Sequence, residues 1–95
     1  MVRVELSEDF NRLLRRYSES IRKDAIKLLD ELVMGKVKAL QLRGKLSKFA
    51  SLRLSRELFI VIRYVADQKY VIAYSIARRE SLVEELRRHI QKAKA

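Results

Sequence analysis

Residues 58–66, LFIVIRYVA, are nearly all apolar and rich in β-branched side chains. An apolar run of this length without alternation reads as a strand covered on both faces, interrupted only by Arg63. Such a strand lies inside a sheet, so its sequence neighbours should be strands as well. Downstream, KYVIAYSI (69–76) is its antiparallel partner across Asp67 and Gln68, a turn without the glycine of a tight hairpin. Upstream, alternation returns from Phe49: Ala50, Leu52 and Leu54 face one side, while Phe49, Ser51 and Arg53 face the other.

Farther out the period changes. Residues 2–6, VRVEL, set Val2, Val4 and Leu6 against Arg3 and Glu5, the pattern of a strand with one buried face. Ser7 with Glu8 and Asp9 behind it is a helix start, because the hydroxyl accepts an orphan N–H and the carboxylates suit the positive end of the helix dipole. Phe10, Leu13, Leu14 and Tyr17 then recur at helical spacing, predicting a helix over about Ser7–Tyr17. A second helix fits Ser20–Met34, with Ile21, Ala25, Leu28, Leu29 and Leu32 on one stripe and Gly35 at the left-handed cap position. Residues 36–47 have no clean period and read as a basic loop around Gly44. Ser81 opens a last helix with Leu82, Val83, Leu86 and Ile90 on one face and Arg87, Arg88, Lys92 and Lys94 on the rest. The order β-α-α-β-β-β-α predicts one α+β domain over residues 1–95: a small antiparallel sheet with a helical hairpin packed on one face.

The charge is one-sided. Lys and Arg number 22 against 12 Asp and Glu, a formal net charge of +10 over 95 residues. From Leu32 to Arg56 the chain carries Lys36, Lys38, Arg43, Lys45, Lys48, Arg53 and Arg56 and no acid. Charge of this density attracts polyanions, since each neutralised phosphate releases a condensed counterion. From charge, nucleic acid is the first expectation and an anionic membrane the second, but a membrane-surface role ranks last among the functions considered because the last helix has no Trp or Phe to bury in an interface. Zero Cys and the single His89 exclude disulfides, zinc–thiolate sites and His-based metal catalysis, so neither metal nor cofactor is expected. No run reaches signal-peptide or membrane-span length, which points to the cytoplasm.

Three local features, LRGKL (42–46), FIVIRYV (59–65) and IARRESL (76–82), taken with the element order, resemble the RelE/ParE superfamily of toxins from toxin–antitoxin systems. Members typically show a leucine–glycine loop, a third strand of the form YRVIYXV and a closing basic segment. The resemblance implies two helices on one sheet face and a concave basic face opposite. It also implies ribosome-dependent cleavage of mRNA without metal, with the RNA 2′-hydroxyl as nucleophile, in a reaction that needs a base, cations for the phosphorane and an acid for the leaving oxygen. On this resemblance Arg79 matches the arginine of the closing motif and Arg53 lies where the second strand commonly carries a basic residue, both as charge stabilisers. Arg78 takes the position often held by His or Lys. Lys45, Lys48, Arg43 and Arg56 are expected to bind RNA, each with a solvated surface cation as its ordinary alternative.

The chain also departs from the pattern. Ile60 stands where the third strand usually carries Arg, and Arg63 points to the other face by strand alternation. Ser81, Leu82 and Val83 occupy the region where active relatives carry Tyr or His. Arg cannot serve as a base, which leaves Tyr64, Tyr70, Tyr74, Glu57 and Glu80 as proton-transfer candidates; packing is the alternative for the tyrosines, and His89 reads as a surface residue. The alternatives to a nuclease are a ParE-like toxin directed at DNA gyrase, and a catalytically degenerate module that binds nucleic acid, ribosome or antitoxin by charge. The partners expected from the resemblance are a cognate antitoxin wrapping a helix across the cationic surface, the ribosome and mRNA. The Leu82, Leu86 and Ile90 stripe is the element such an antitoxin would cover or displace, or the face of a homodimer.

Overall fold

The computed structural model describes residues 3–42, 44, 47–65, 70–82, 84 and 87. Its elements are β1 (Arg3–Leu6), α1 (Glu8–Leu14), α2 (Glu19–Val33), β2 (Leu40–Gln41), β3 (Phe49–Arg53), β4 (Leu58–Val65) and β5 (Tyr70–Arg78), followed by a 3-10 turn over Arg79–Ser81. The strands form one sheet in the order β1-β5-β4-β3-β2, which places the LFIVIRYV strand at its centre. Ile60, Val61 and Ile62 are each 0% exposed, as a strand covered on both faces requires.

The α+β architecture with a helical hairpin on one face is as the sequence predicts. The sheet, however, is mixed and not wholly antiparallel: β1 pairs parallel with β5, Arg3 opposite Tyr70 through Leu6 opposite Ala73. β4 pairs antiparallel with both β3 and β5. The two-residue β2 adds an edge strand inside the segment expected to be loop, pairing Leu40 with Ser51 and Gln41 with Ala50.

Both helices start on a serine. The Phe10 N–H donates to Ser7 Oγ (3.0 Å), and the Ile21 N–H donates to Ser18 Oγ (3.3 Å). α1 is therefore shorter than its apolar spacing predicts, because Arg15–Tyr17 form a turn that lets Ser18, two residues before the expected start, cap α2. At the other end Gly35 adopts φ +76°, the left-handed conformation predicted for it. Its N–H donates to the Leu32 carbonyl (3.1 Å) and that of Lys36 to the Glu31 carbonyl (2.9 Å), the paired bonds of a Schellman cap.

Phe10, Leu14, Ala25, Leu29 and Leu32 from the helices pack on Ala50, Leu52, Ile60, Ile62, Val71, Ala73 and Ile76 from the sheet. Each large side chain so buried contributes about 1.5–3 kcal/mol. On the opposite face Phe49, Val61 and Ala77 form a second, smaller cluster, against which Leu42, Tyr74 and Leu82 pack. Phe49 and Tyr74 meet edge to face with ring centroids 5.9 Å apart. The centre of this outer face, where the resemblance implies a concave basic face, is therefore apolar.

An irregularity in β5 explains one misplacement. Val61 pairs with Ser75 and Ile62 with Ala73, so Tyr74 is an extra residue, a bulge. Before it, Val71 and Ala73 face the helices; after it, Ile76 does, while Ser75 and Ala77 turn outward. Ile76 thus parts from Ile72 and Tyr74, with which strict alternation would group it. The Tyr74 carbonyl accepts a bond from Ser7 Oγ (3.2 Å), and the Ser7 N–H donates to the Ala73 carbonyl (3.1 Å), so the start of α1 is tied to the bulge. Of the last helix, Leu82 packs on the outer cluster; Leu86, Ile90, Val83 and His89 lie outside the described residues.

Candidate functional site

One end of the sheet collects arginines. β3 ends at Arg53, and Leu54–Glu57 turn the chain into β4; Leu58 pairs with Arg78, the last residue of β5. The turn is held by its own residues: the Leu54 and Ser55 N–H groups both donate to the Leu58 carbonyl (2.9 and 3.2 Å), and the Leu58 N–H donates to Ser55 Oγ (3.2 Å). The chain then leaves β5 through the 3-10 turn, where the Arg79 N–H donates to the Glu57 carbonyl (2.8 Å) and Ser81 Oγ donates to the Arg78 carbonyl (3.4 Å). Two connections far apart in sequence are therefore joined at the same place.

A cleft of about 230 Å³ lies at that junction, lined by Arg56, Glu57, Arg78, Arg79 and Glu80. A second, wider pocket of about 520 Å³ shares Arg56, Glu57 and Arg78 and adds Tyr17, Ser55 and Leu58. Arg53 stands next to them at the end of β3, its Nε–H donating to the Ser55 carbonyl at 3.4 Å. Arg53, Arg56, Arg78 and Arg79 are all exposed, and among the described residues none of them forms an ion pair with Glu57 or Glu80. Apart from the Arg53 Nε–H, which Ser55 engages, their side-chain donors make no hydrogen bond among the described residues and can meet an external anion, and a guanidinium offers a phosphate two donors in a fixed fork.

Of the residues singled out in the sequence, Arg53, Arg56, Arg78 and Arg79 are brought together here. Arg79 occupies the turn just after β5, not the strand itself. Lys48 precedes the start of β3, five strand steps or about 16 Å from Arg53, so it belongs to the other end of the sheet. Arg43 and Lys45, in the same connection as Lys48, lie outside the described residues.

The proton-transfer candidates separate equally clearly. Tyr64 packs against the main core on the helix side, and its burial pushes the phenol pKa above its ordinary value of 10.0. Tyr70 begins β5 at the far end, and Tyr74 is packed on Phe49. Glu57 and Glu80 alone among these candidates line the arginine cleft. Ile60, at the position where an arginine is usual in the resembled family, is 0% exposed beneath the helices and cannot reach the cleft or the outer face. Arg63 is on the outer face, opposite Phe49 and Ile72, with its Nε buried and unbonded among the described residues.

Sequence reasoning missed Tyr17. Its spacing from Phe10 marks it as core, and it does pack against the main cluster, but the turn after α1 also sets it in the wall of the wider pocket. Only the meeting of the turn after α1 with the β3–β4 turn discloses that second role. No sequence signal links segments so far apart.

No protein-family model matches this sequence, and no curated protein matches it. Solved structures do. A chain of the toxin–antitoxin complex RelBE2 from Mycobacterium tuberculosis aligns over 82% of this chain and 98% of its own, with a TM-score of 0.67 at 16% identity. The YoeB/ParE toxin from Agrobacterium tumefaciens aligns over 82% and 99%, with a TM-score of 0.67 at 12% identity. A chain of the archaeal RelE–RelB complex from Pyrococcus horikoshii OT3 aligns over 82% and 94%, with a TM-score of 0.64 at 15% identity. The fold is that of the RelE/ParE-type toxins.

Proposed function

We propose that this chain is the toxin of a toxin–antitoxin pair and that it cleaves mRNA on the ribosome without metal. The observation that carries this reading is the cleft in which Arg56, Arg78 and Arg79 stand beside Glu57 and Glu80, in a fold shared with RelE-type toxins. An RNA phosphodiester needs cations for its developing charge and a base for the 2′-hydroxyl, and this cleft holds both kinds of group.

In the proposed reaction the 2′-oxygen attacks the adjacent phosphorus and gives its proton to the Glu57 carboxylate. The bond from phosphorus to the 5′-oxygen breaks, leaving a 2′,3′-cyclic phosphate and a 5′-hydroxyl that takes a proton from water. Glu57 is chosen over Glu80 because its own backbone carbonyl is anchored by Arg79. Arg79 and Arg53 stabilise the phosphorane, Arg78 and Arg56 hold neighbouring phosphates, and Lys48 adds a cation before the start of β3; Arg43 and Lys45, outside the described residues, are further RNA-binding cations of this proposal. The site of action is cytoplasmic. The antitoxin is a separate chain whose acidic or amphipathic segment folds over these arginines; two of the structural relatives are themselves toxin–antitoxin complexes.

The test is a translating extract given the purified chain, with mRNA ends mapped by primer extension. Cleavage within translated codons by the wild type, lost in Arg79→Ala, supports the reading; intact mRNA with both proteins overturns it. A second reading, binding without cleavage, is favoured by the centre of the outer face. Ser51, Val61 and Ser75 pair across it and supply no group able to carry a proton at neutral pH. Ribosome binding that falls steeply with salt while the mRNA stays whole would identify that case.

A further inference from the structure

We infer that the wider pocket at the arginine end is a base-stacking subsite, which takes the RNA nucleotide next to the one held in the cleft. This rests on the reading of the cleft as an RNA site. The pocket is about 520 Å³, within the range of small-ligand sites. Its wall combines the two chemistries a nucleotide presents. Tyr17 and Leu58 supply apolar surface, while Arg56, Arg78 and the Ser55 side chain supply donors for phosphate and sugar.

Continuity favours a strand over a free small molecule. Arg56, Glu57 and Arg78 line both the pocket and the 230 Å³ cleft, so one partition separates two adjoining spaces and one polynucleotide can occupy both. Tyr17 is half-buried, packed on the main core and also part of the pocket wall. A ring supported in that way loses little further freedom when a base stacks on it. Stacking is sequence-tolerant because every base has a π-face, so the subsite adds affinity and register rather than codon choice.

The chain contains no Trp, so Tyr17→Trp places a single fluorophore in the pocket and keeps an aromatic wall. Titrating this variant with a trinucleotide RNA should quench its emission at saturation, whereas adenosine monophosphate at the same concentration should not. Tyr17→Leu retains apolar packing on the core and should weaken trinucleotide binding on the order of tenfold, with the salt slope unchanged. Arg78→Gln should instead lower that slope by about one. Unquenched emission at trinucleotide saturation, or wild-type affinity in folded Tyr17→Leu, overturns the subsite. Equal quenching by the mononucleotide overturns the strand assignment in favour of a free nucleotide. If Tyr17→Leu does not fold, the Tyr17→Trp titration decides. The oligonucleotide titrations are read without cleavage or growth inhibition, so loss of the subsite and loss of the proposed activity remain distinguishable.

Discussion

The backbone N–H of Arg79 donates to the carbonyl of Glu57 at 2.8 Å, locking the exit from β5 to the turn between β3 and β4. The bond uses main-chain atoms on both sides, so both side chains remain available while their origins are fixed. Arg79→Ala should keep this bond and the fold, and should lower mRNA cleavage on the order of 10²-fold, as expected when one donor to a developing oxyanion is lost. Cleavage rates in extract, with thermal unfolding as the control for folding, check this.

Ile60 offers a sharper contrast between family pattern and local environment. Restoring the arginine usual at that position would place a guanidinium at a site that is 0% exposed, under the helical hairpin. Ile60→Arg should gain no activity and should destabilise by more than about 4 kcal/mol, because an unpaired charge is buried there. Circular dichroism should find it largely unfolded; a folded, more active variant would contradict this placement.

Ser7 joins α1 to β5 through one hydroxyl, which accepts from Phe10 N–H and donates to the Tyr74 carbonyl at the bulge. Ser7→Ala removes the helix cap and leaves that carbonyl without its hydroxyl partner. The expected loss is about 1–3 kcal/mol, read as a lower urea midpoint with an unchanged slope.

Ser75 should behave in the opposite sense. Its hydroxyl is fully buried and has no hydrogen-bond partner among the described residues. Ser75→Ala removes an uncompensated polar group while leaving Cβ in place, so stability should rise by about 1 kcal/mol in the same urea experiment.

Burial of Tyr64 raises its phenol pKa above 10.0, so the folded state holds this proton more tightly than the unfolded state. That contribution is fully present below the unfolded pKa and is lost as pH rises through the folded one. Stability should therefore fall more steeply as pH rises above 10.0 in the wild type than in Tyr64→Phe, in urea titrations at each pH.

The sequence discloses what is local. LFIVIRYVA declares a central strand because nothing in it is polar except Arg63, and Gly35 declares a cap because only a left-handed residue closes α2 in that way. The phase of β5 was not legible: the bulge at Tyr74 reverses alternation midway, and its partner at Ser7 is 67 residues away. The parallel pairing of β1 escaped for the same reason, since VRVEL states that one face is buried but not which strand lies beside it. In the site, Arg53, Arg56, Arg78 and Arg79 could each be chosen by position. That they share one end with Glu57 and Tyr17, while Lys48 does not, follows only from the register of β3, β4 and β5.

The same long-range pairing bears on how the chain comes into being. β1 has β5 as its strand neighbour, and Arg3 meets Tyr70. As the chain is synthesised, β1 therefore waits for a partner that emerges long after it, and the entropy of closing that long loop falls due only when β5 appears. The arginine cleft is assembled from the residues that follow this closure, 78–80, together with the turn at 56–57. A truncated or stalled nascent chain lacking β5 and the turn after it would have no cleft, because three of the five residues that line it, Arg78, Arg79 and Glu80, would be missing.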